Sequence, residues 1–328
     1  VSKFLRICVS LALLEILAAR MDWAHVADAF ANLRWGYWLS AVAILVVTQA
    51  VSAWRWQLQA RALGLNSTVT QMTGYYFIGM FFNLILPTSV GGDVVRAYYI
   101  TGPSGRRLPG FVSVLVDRLN GLIVLLLLAS IAAVVQFNTV PGWVSLFVWG
   151  TTLSACVGLV LLPLLARWGK HGSERVEKVR AMLQLVRQPK LLIQTTALSL
   201  VIQVANIVLV WQVGMALSLD GGIGFEYYWI LVPMVSVLTL LPVSVNGMGL
   251  REWGTFLLLQ PLGVSETAAV TLSFLWFLVF ISASLLGGLA YMSGRFTRVP
   301  KLTEDGAENG SVDYHSDQGR TRQLDQAA

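Results

Sequence analysis

Charge is scarce in this sequence. Only 12% of the 328 residues are Asp, Glu, Lys or Arg, against 56% hydrophobic. A soluble domain of this size carries about 25% charged residues, so the composition excludes an ordinary soluble domain. Cysteine is scarcer still: Cys8 and Cys156 both fall inside apolar runs and read as small hydrophobes, not as a disulfide or metal pair. The three histidines, His25, His171 and His315, are scattered through polar segments without zinc spacing. No metal site is expected from them. No Ser-His-Asp, His-Glu-x-x-His, Walker A or Rossmann pattern occurs, so no catalytic residue and no cofactor is expected. The formal charge of +6 points to nucleic acid only if the basic residues share a soluble face. Here they lie between apolar runs, and no nucleic-acid partner is expected.

What the sequence has instead is long apolar runs, at about 4–19, 36–54, 71–90, 111–136, 143–166, 191–219, 226–245 and 264–292. Roughly 20 residues of helix cross a bilayer, so the fold class is all-α polytopic membrane protein. Tryptophans mark the ends of the runs (Trp35, Trp38, Trp54, Trp56, Trp143, Trp168, Trp229), where indole rings settle at the interface. The first run follows Lys3 and Arg6 like a signal peptide, but Glu15 interrupts it. It reads as a retained span, with Glu15 as a bundle-facing hydrogen-bond partner.

Two runs break early, at Leu86-Pro87-Thr88-Ser89-Val90-Gly91-Gly92-Asp93 and at Leu241-Pro242-Val243-Ser244-Val245-Asn246-Gly247-Met248-Gly249. Proline and clustered glycine do not continue a helix. Leu86, Pro87, Ser89, Val90, Gly92 and Arg96 match Leu241, Pro242, Ser244, Val245, Gly247 and Arg251 at a constant offset of 155. The flanking runs 36–54 and 111–136 recur at the same offset, so the chain is an internal duplication. Amphipathic stretches also recur: Trp23, Val26, Phe30 and Leu33, then Val176, Val179, Leu183 and Val186. Both read as helices lying in the interface plane.

If each broken run enters the membrane and returns, the N-terminus lies inside. Nineteen Lys/Arg, including Arg55, Arg61 and Arg96, then fall on the inner side, and only Arg20 and Arg34 fall outside. That division obeys the positive-inside bias. A full crossing by each broken run would instead place the seven basic residues of 167–190 outside. The favoured arrangement has six spanning helices and two re-entrant helical hairpins. Residues 1–137 form the first unit (hairpin about 71–100) and 138–295 the second (hairpin about 226–261). Three full spans per unit turn the second copy upside down, a pattern of alternating-access transporters. The tail, 296–328, is polar and expected to be disordered in the cytoplasm.

The hairpins hold Asn83, Gly91, Gly92, Asp93 and Arg96, and then Asn246, Gly247, Gly249, Arg251 and Glu252. Irregular backbone at membrane depth survives only in protein or facing a polar cavity. Tip glycines admit a ligand to the backbone, and the following helix start suits phosphate. Arg96 and Arg251 add forked charge. Three readings stand side by side. The arginines hold an anionic head group; or Arg96 locks onto Asp93 and Arg251 onto Glu252; or Arg96 is a topology signal at the inner interface. Asp117 and Arg118 correspond to Leu272 and Ser273, outside the repeat. They read as a buried structural ion pair, or as a group that couples transport to protons or pairs with the first hairpin. The stretch 167–190 reads as an anchor on an anionic inner leaflet.

These motifs resemble the transmembrane region of the lysylphosphatidylglycerol synthase/flippase family. The matching residues are Asn83-Leu84-Ile85-Leu86-Pro87 with Gly91-Gly92-Asp93-Val94-Val95-Arg96, and Pro242 with Asn246-Gly247-Met248-Gly249-Leu250-Arg251-Glu252. The resemblance covers about 1–295. It implies a lipid flippase of the bacterial-type plasma membrane, with both termini cytoplasmic. Its cargo would be an anionic phospholipid or a polyprenyl-phosphate-linked lipid. Fused members carry an aminoacyl-transferase domain after the membrane region. This chain continues into a short polar tail, so the aminoacylated lipid is not the expected cargo. Two alternatives are an intramembrane lipid-modifying enzyme using Asp93 and Glu252, and a non-catalytic partner of a lipid or glycan synthase. A homodimer is a further expectation.

Overall fold

The computed structural model describes residues 23–86, 91–102, 107–137, 142–168, 180–183, 185, 187–219, 222–240, 247–294 and 296. Helices α1 (Trp23–Ala31), α2 (Trp35–Ala62), α3 (Val69–Ile85), α4 (Gly91–Thr101) and α5 (Arg107–Val135) come first. Helices α6 (Gly142–Trp168), α7 (Pro189–Ala216), α8 (Tyr228–Leu240), α9 (Leu250–Leu259) and α10 (Glu266–Met292) follow. No strand occurs among the described residues. Residues up to Phe296 belong to one compact unit.

Four helices are long and apolar enough to cross a membrane: Trp35–Ala62, Leu108–Val135, Pro189–Ala216 and Glu266–Met292. Gly142–Gly158 and Phe225–Thr239 are shorter apolar helices. The chain is thus a multi-pass helical membrane protein. The expected first span, 4–19, lies outside the described residues, as do both helix breaks at 87–90 and 241–246. Of the two stretches expected to lie in the interface plane, the first forms α1 and the second is described only in part.

Local chemistry explains several helix ends. Thr68 and Gln71 form a reciprocal capping box at the start of α3, with Thr68 Oγ1 accepting from Gln71 N at 3.3 Å and Thr68 N donating to Gln71 Oε1 at 3.0 Å. Such a pair satisfies two orphan donors. Ser265 caps α10 by accepting from Ala268 N at 3.2 Å. Ahead of α9, Gly247 and Gly249 have φ of 75° and 81°, the left-handed region that glycine enters without a Cβ clash.

Helices α3 and α4 run antiparallel. Near the break, Asn83 Oδ1 accepts from Gly92 N at 2.7 Å; farther away, Tyr75 stacks on Tyr99 at 5.1 Å. Between these points a Cβ on Gly92 would lie 1.9 Å from the Gly79 carbonyl oxygen, so backbones touch there. Helices α8 and α9 pair the same way: Thr239 meets Gly247, Leu238 meets Gly254, and Tyr227 Oη donates to the Leu258 carbonyl. Both broken runs are therefore helical hairpins, not straight helices.

The two halves interlock. Helix α2 packs most extensively on α7, its counterpart in the duplication. Helix α3 packs on α10, and α8 packs on α5, so each hairpin rests on a long helix of the other half. Shifted by 155, the C-terminal ends of α2, α3, α4 and α5 fall within three residues of those of α7, α8, α9 and α10. Where α10 crosses α3, a Cβ on Gly287 would lie 1.9 Å from the Phe77 carbonyl oxygen. Gly287→Ala should therefore destabilise the fold by about 1–3 kcal/mol through overpacking. Gly150→Ala, with nothing within 4 Å of the added carbon, should cost nothing. Thermal unfolding of the purified variants in detergent checks this.

Candidate functional site

Asp117 is fully buried on α5, with 0% exposure. Two guanidinium groups neutralise it. Arg55 of α2 donates from Nε to Oδ1 at 2.9 Å, and Arg96 of α4 donates from Nη2 to Oδ2 at 2.9 Å. Arg55 also donates from Nη1 to Ser199 Oγ on α7 at 2.7 Å and from Nη2 to the Asp117 carbonyl at 3.3 Å. Ser199 in turn donates to Asn120 Oδ1 at 2.5 Å. One carboxylate thus ties α2, α4, α5 and α7 together.

Arg96 is 1% exposed. Its guanidinium lies 3.9 Å from the Tyr76 ring centre and 4.3 Å from that of Trp56, a geometry in which the ring quadrupole attracts the cation. Trp56 is held in place by donating Nε1 to Ser113 Oγ at 3.1 Å. A second, weaker contact runs from Arg96 Nη1 to Asp93 Oδ1 at 3.4 Å. Asp93 instead receives its strongest contacts from Arg118, whose Nε reaches both oxygens at 3.1 Å and whose Nη2 reaches Oδ1 at 2.9 Å. Asp117 and Arg118 are not bonded to each other among the described contacts. Each forms an ion pair with the first hairpin, Asp117 with Arg96 and Arg118 with Asp93.

The second hairpin holds a smaller cluster. Glu252 Oε2 accepts from Gly249 N at 2.7 Å, capping α9. Its Oε1 accepts from Arg251 Nε at 3.1 Å and also from Arg251 Nη2. Arg251 further donates from Nε to Ser273 Oγ at 3.1 Å, and its guanidinium lies 4.4 Å from the Phe277 ring centre. Ser273 is the position that corresponds to Arg118.

A cavity of about 490 Å³ lies between these clusters. Pockets of 300–1,000 Å³ suit small ligands. Arg55, Arg118 and Arg251 line it, with Asn83 of α3 and Thr239 of α8. Gln49, Gly121, Gln203 and Phe280, also on its wall, sit at the midpoints of α2, α5, α7 and α10. Both hairpins therefore border one space halfway along the long helices, its wall part polar and part apolar.

The expected site residues are divided by this geometry. Arg251, Asn83, Asp117 and Arg118 line the cavity; Arg96 does not, and sits behind Asp117. Gly92 makes the α3–α4 crossing, Gly247 packs on Thr239, and Gly249 starts α9. Gly91 opens α4, and Asp93 and Glu252 hold arginines. Asn246 lies outside the described residues. Arg55 requires a correction. Counted above as an inner-surface cation, it is 4% exposed and bonded to Asp117 inside the bundle. Two polar stripes also escaped the reading: Gln49, Ser52 and Arg55 on α2, and Ser199, Gln203 and Asn206 on α7. Their i, i+3, i+6 and i, i+4, i+7 spacing along apolar helices is the signal of a polar face turned inward.

Asp117→Asn should leave two buried guanidiniums without their counter-ion, and removing one partner of a buried pair costs about 3–5 kcal/mol. Arg118→Gln, at a side chain 46% exposed, should cost no more than about 1 kcal/mol. Thermal unfolding of both variants distinguishes them.

No curated protein matches this sequence. The family model for the lysylphosphatidylglycerol synthase transmembrane region matches residues 3–287. A helical bundle with paired broken helices carrying the Gly-Gly-Asp-x-x-Arg and Asn-Gly-x-Gly-x-Arg-Glu motifs thus spans nearly the whole matched region, and the chain belongs to the lysylphosphatidylglycerol synthase transmembrane-region family.

Proposed function

We propose that this protein is a lipid translocase that moves an anionic phospholipid or a polyprenyl-phosphate-linked lipid across the plasma membrane. The observation that carries this reading is the cavity at the helix midpoints, bordered by both hairpins and holding three arginines on an otherwise mixed apolar and polar wall. Ionisable groups at that depth are costly and are functional candidates by default. In this reading the hairpins are re-entrant, entering from opposite sides of an inverted repeat with six spans. Both termini face the cytoplasm. The exchanged packing of α3 on α10 and α8 on α5 supports a two-fold relation between the halves.

The head group would pass through the cavity while the tails stay in lipid. Arg251 and Arg118 would receive the phosphate, since both line the space and each leaves one Nη without a recorded partner among the described residues. Arg96 would be a positioning residue, holding the first hairpin on Asp117. Asp93 and Glu252 would reclaim the arginines and release the lipid. The enzymatic alternative asks these same two carboxylates to act as acid or base, yet each is already bonded to an arginine.

Reconstituted vesicles with a fluorescent anionic lipid and an impermeant quencher measure the flipping rate. Arg251→Gln and Arg118→Gln should each slow it about tenfold or more, as loss of a charge-assisted hydrogen bond of 1.5–3 kcal/mol implies. Wild-type rates in both variants would remove the arginines from the mechanism. Orientation is tested separately with single cysteines at Asn66 and Gly263 in a Cys8→Ala, Cys156→Ala background. An impermeant maleimide applied from outside should label position 263 and spare 66. Labelling of both from one side would sink the inverted arrangement.

A further inference from the structure

The cavity wall also bears on which head group it takes. Around it, four arginines (Arg55, Arg96, Arg118, Arg251) face three carboxylates (Asp93, Asp117, Glu252). The described cluster therefore keeps one positive charge, which a single phosphodiester charge balances. Of the carboxylates only Asp117 lines the space, and both its oxygens accept from guanidiniums. No carboxylate lining the cavity is left for a cation. An ammonium entering this space would find three arginines and no free carboxylate on the wall, and a buried charge without a counter-ion is disfavoured.

The rest of the wall is uncharged and rich in hydrogen-bonding groups. Ser52 is 3% exposed, lines the cavity, and its hydroxyl has no partner among the described residues. The partly buried Gln49 amide and Ser236 hydroxyl also line it without a partner among the described residues. On α7, Gln203 Nε2 donates to the Gly121 carbonyl at 3.0 Å, and its Oε1 takes an Asn206 N–H at 3.4 Å. Asn206 Oδ1 is left without a recorded partner. Amides and hydroxyls that both donate and accept are the natural complement of vicinal hydroxyl groups. Opposite in character, Trp276, Phe277 and Phe280 of α10 supply flat apolar surface to the same space, suited to the C–H face of a sugar or cyclitol ring.

From these observations we infer that the cavity selects a singly charged phosphodiester bearing an uncharged, hydroxyl-rich head, and discriminates against amine-headed lipids. Gln49, Ser52 and Asn206 are its specificity-determining residues. The inference rests on the translocase reading for its biological meaning, but it is tested by binding alone.

The experiment uses the full chain in detergent and measures lipid affinity by native mass spectrometry. Probes are phosphatidylinositol, a polyprenyl-phosphate-linked mannose, phosphatidylethanolamine and phosphatidic acid. At least one of the two hydroxylated lipids should bind about tenfold tighter than phosphatidylethanolamine, a ratio that two or so net hydrogen bonds supply. Whichever of them binds better identifies the glycerolipid or the polyprenyl source. The paired change Gln49→Leu with Ser52→Val should reduce that preference to below about threefold, whereas affinity for phosphatidic acid should change much less. Asn206→Leu, on another helix, provides the same readout should the first variant unfold. Equal or tighter binding of phosphatidylethanolamine, no binding of either hydroxylated lipid, or full preference retained in the folded variants overturns the inference. Selective binding without flipping would instead retire the translocase reading and leave this one standing.

Discussion

The structure depends on one carboxylate held between two guanidiniums. Asp117 accepts from Arg55 on one oxygen and from Arg96 on the other, and none of the three is more than 4% exposed. Burying these charges is expensive, and only close pairing with full hydrogen bonding offsets the desolvation. The pairing therefore fixes where α2, α4 and α5 sit relative to one another. It also fixes the first hairpin, because α4 carries Arg96 and packs on α3 through the Gly79–Gly92 contact. With that hairpin in place, Arg118 is left at the cavity wall, bonded to Asp93 and still half open.

The two hairpins do the same task by different means. In the first, a network across four helices holds the arginine, and tyrosine and tryptophan faces cover it. In the second, Arg251 and Glu252 are neighbours in sequence and form a compact local pair backed by Ser273 and Phe277. The first arginine is locked away and the second reaches the cavity. The two similar motifs thus supply one buried anchor and one cavity-lining contact, with Arg118 lining the cavity on the first side. In the proposed mechanism this asymmetry gives the lipid phosphate two guanidiniums, one from each half.

Much of this was legible in the sequence. The long apolar runs sufficed to anticipate a multi-pass helical membrane protein, and the motifs around Arg96 and Arg251 sufficed to anticipate its family. Pairing between partners distant in sequence was not legible. Arg55 looked like an interfacial cation because it ends an apolar run beside two tryptophans, and only the crossing of α2 with α5 brings it to Asp117. Likewise Arg96 offered a lock, a ligand contact and a topology signal from its spacing alone. Which partner an arginine finds depends on helix rotation, and that follows from close contacts such as Gly287 against Phe77, invisible in a one-dimensional pattern. The polar stripes on α2 and α7 were written in the sequence at helical spacing, but individually their amides and serines are unremarkable residues for a membrane helix.

The central claim is that both hairpins serve one head-group site at mid-depth. An electron cryomicroscopy map of the protein in lipid nanodiscs tests it most directly. A lipid phosphate resolved between Arg118 and Arg251, with its head toward Gln49 and Asn206, is the expected result. Lipid density confined to the outer surface of the bundle, with the cavity filled by side chains and the two hairpins apart, would contradict it.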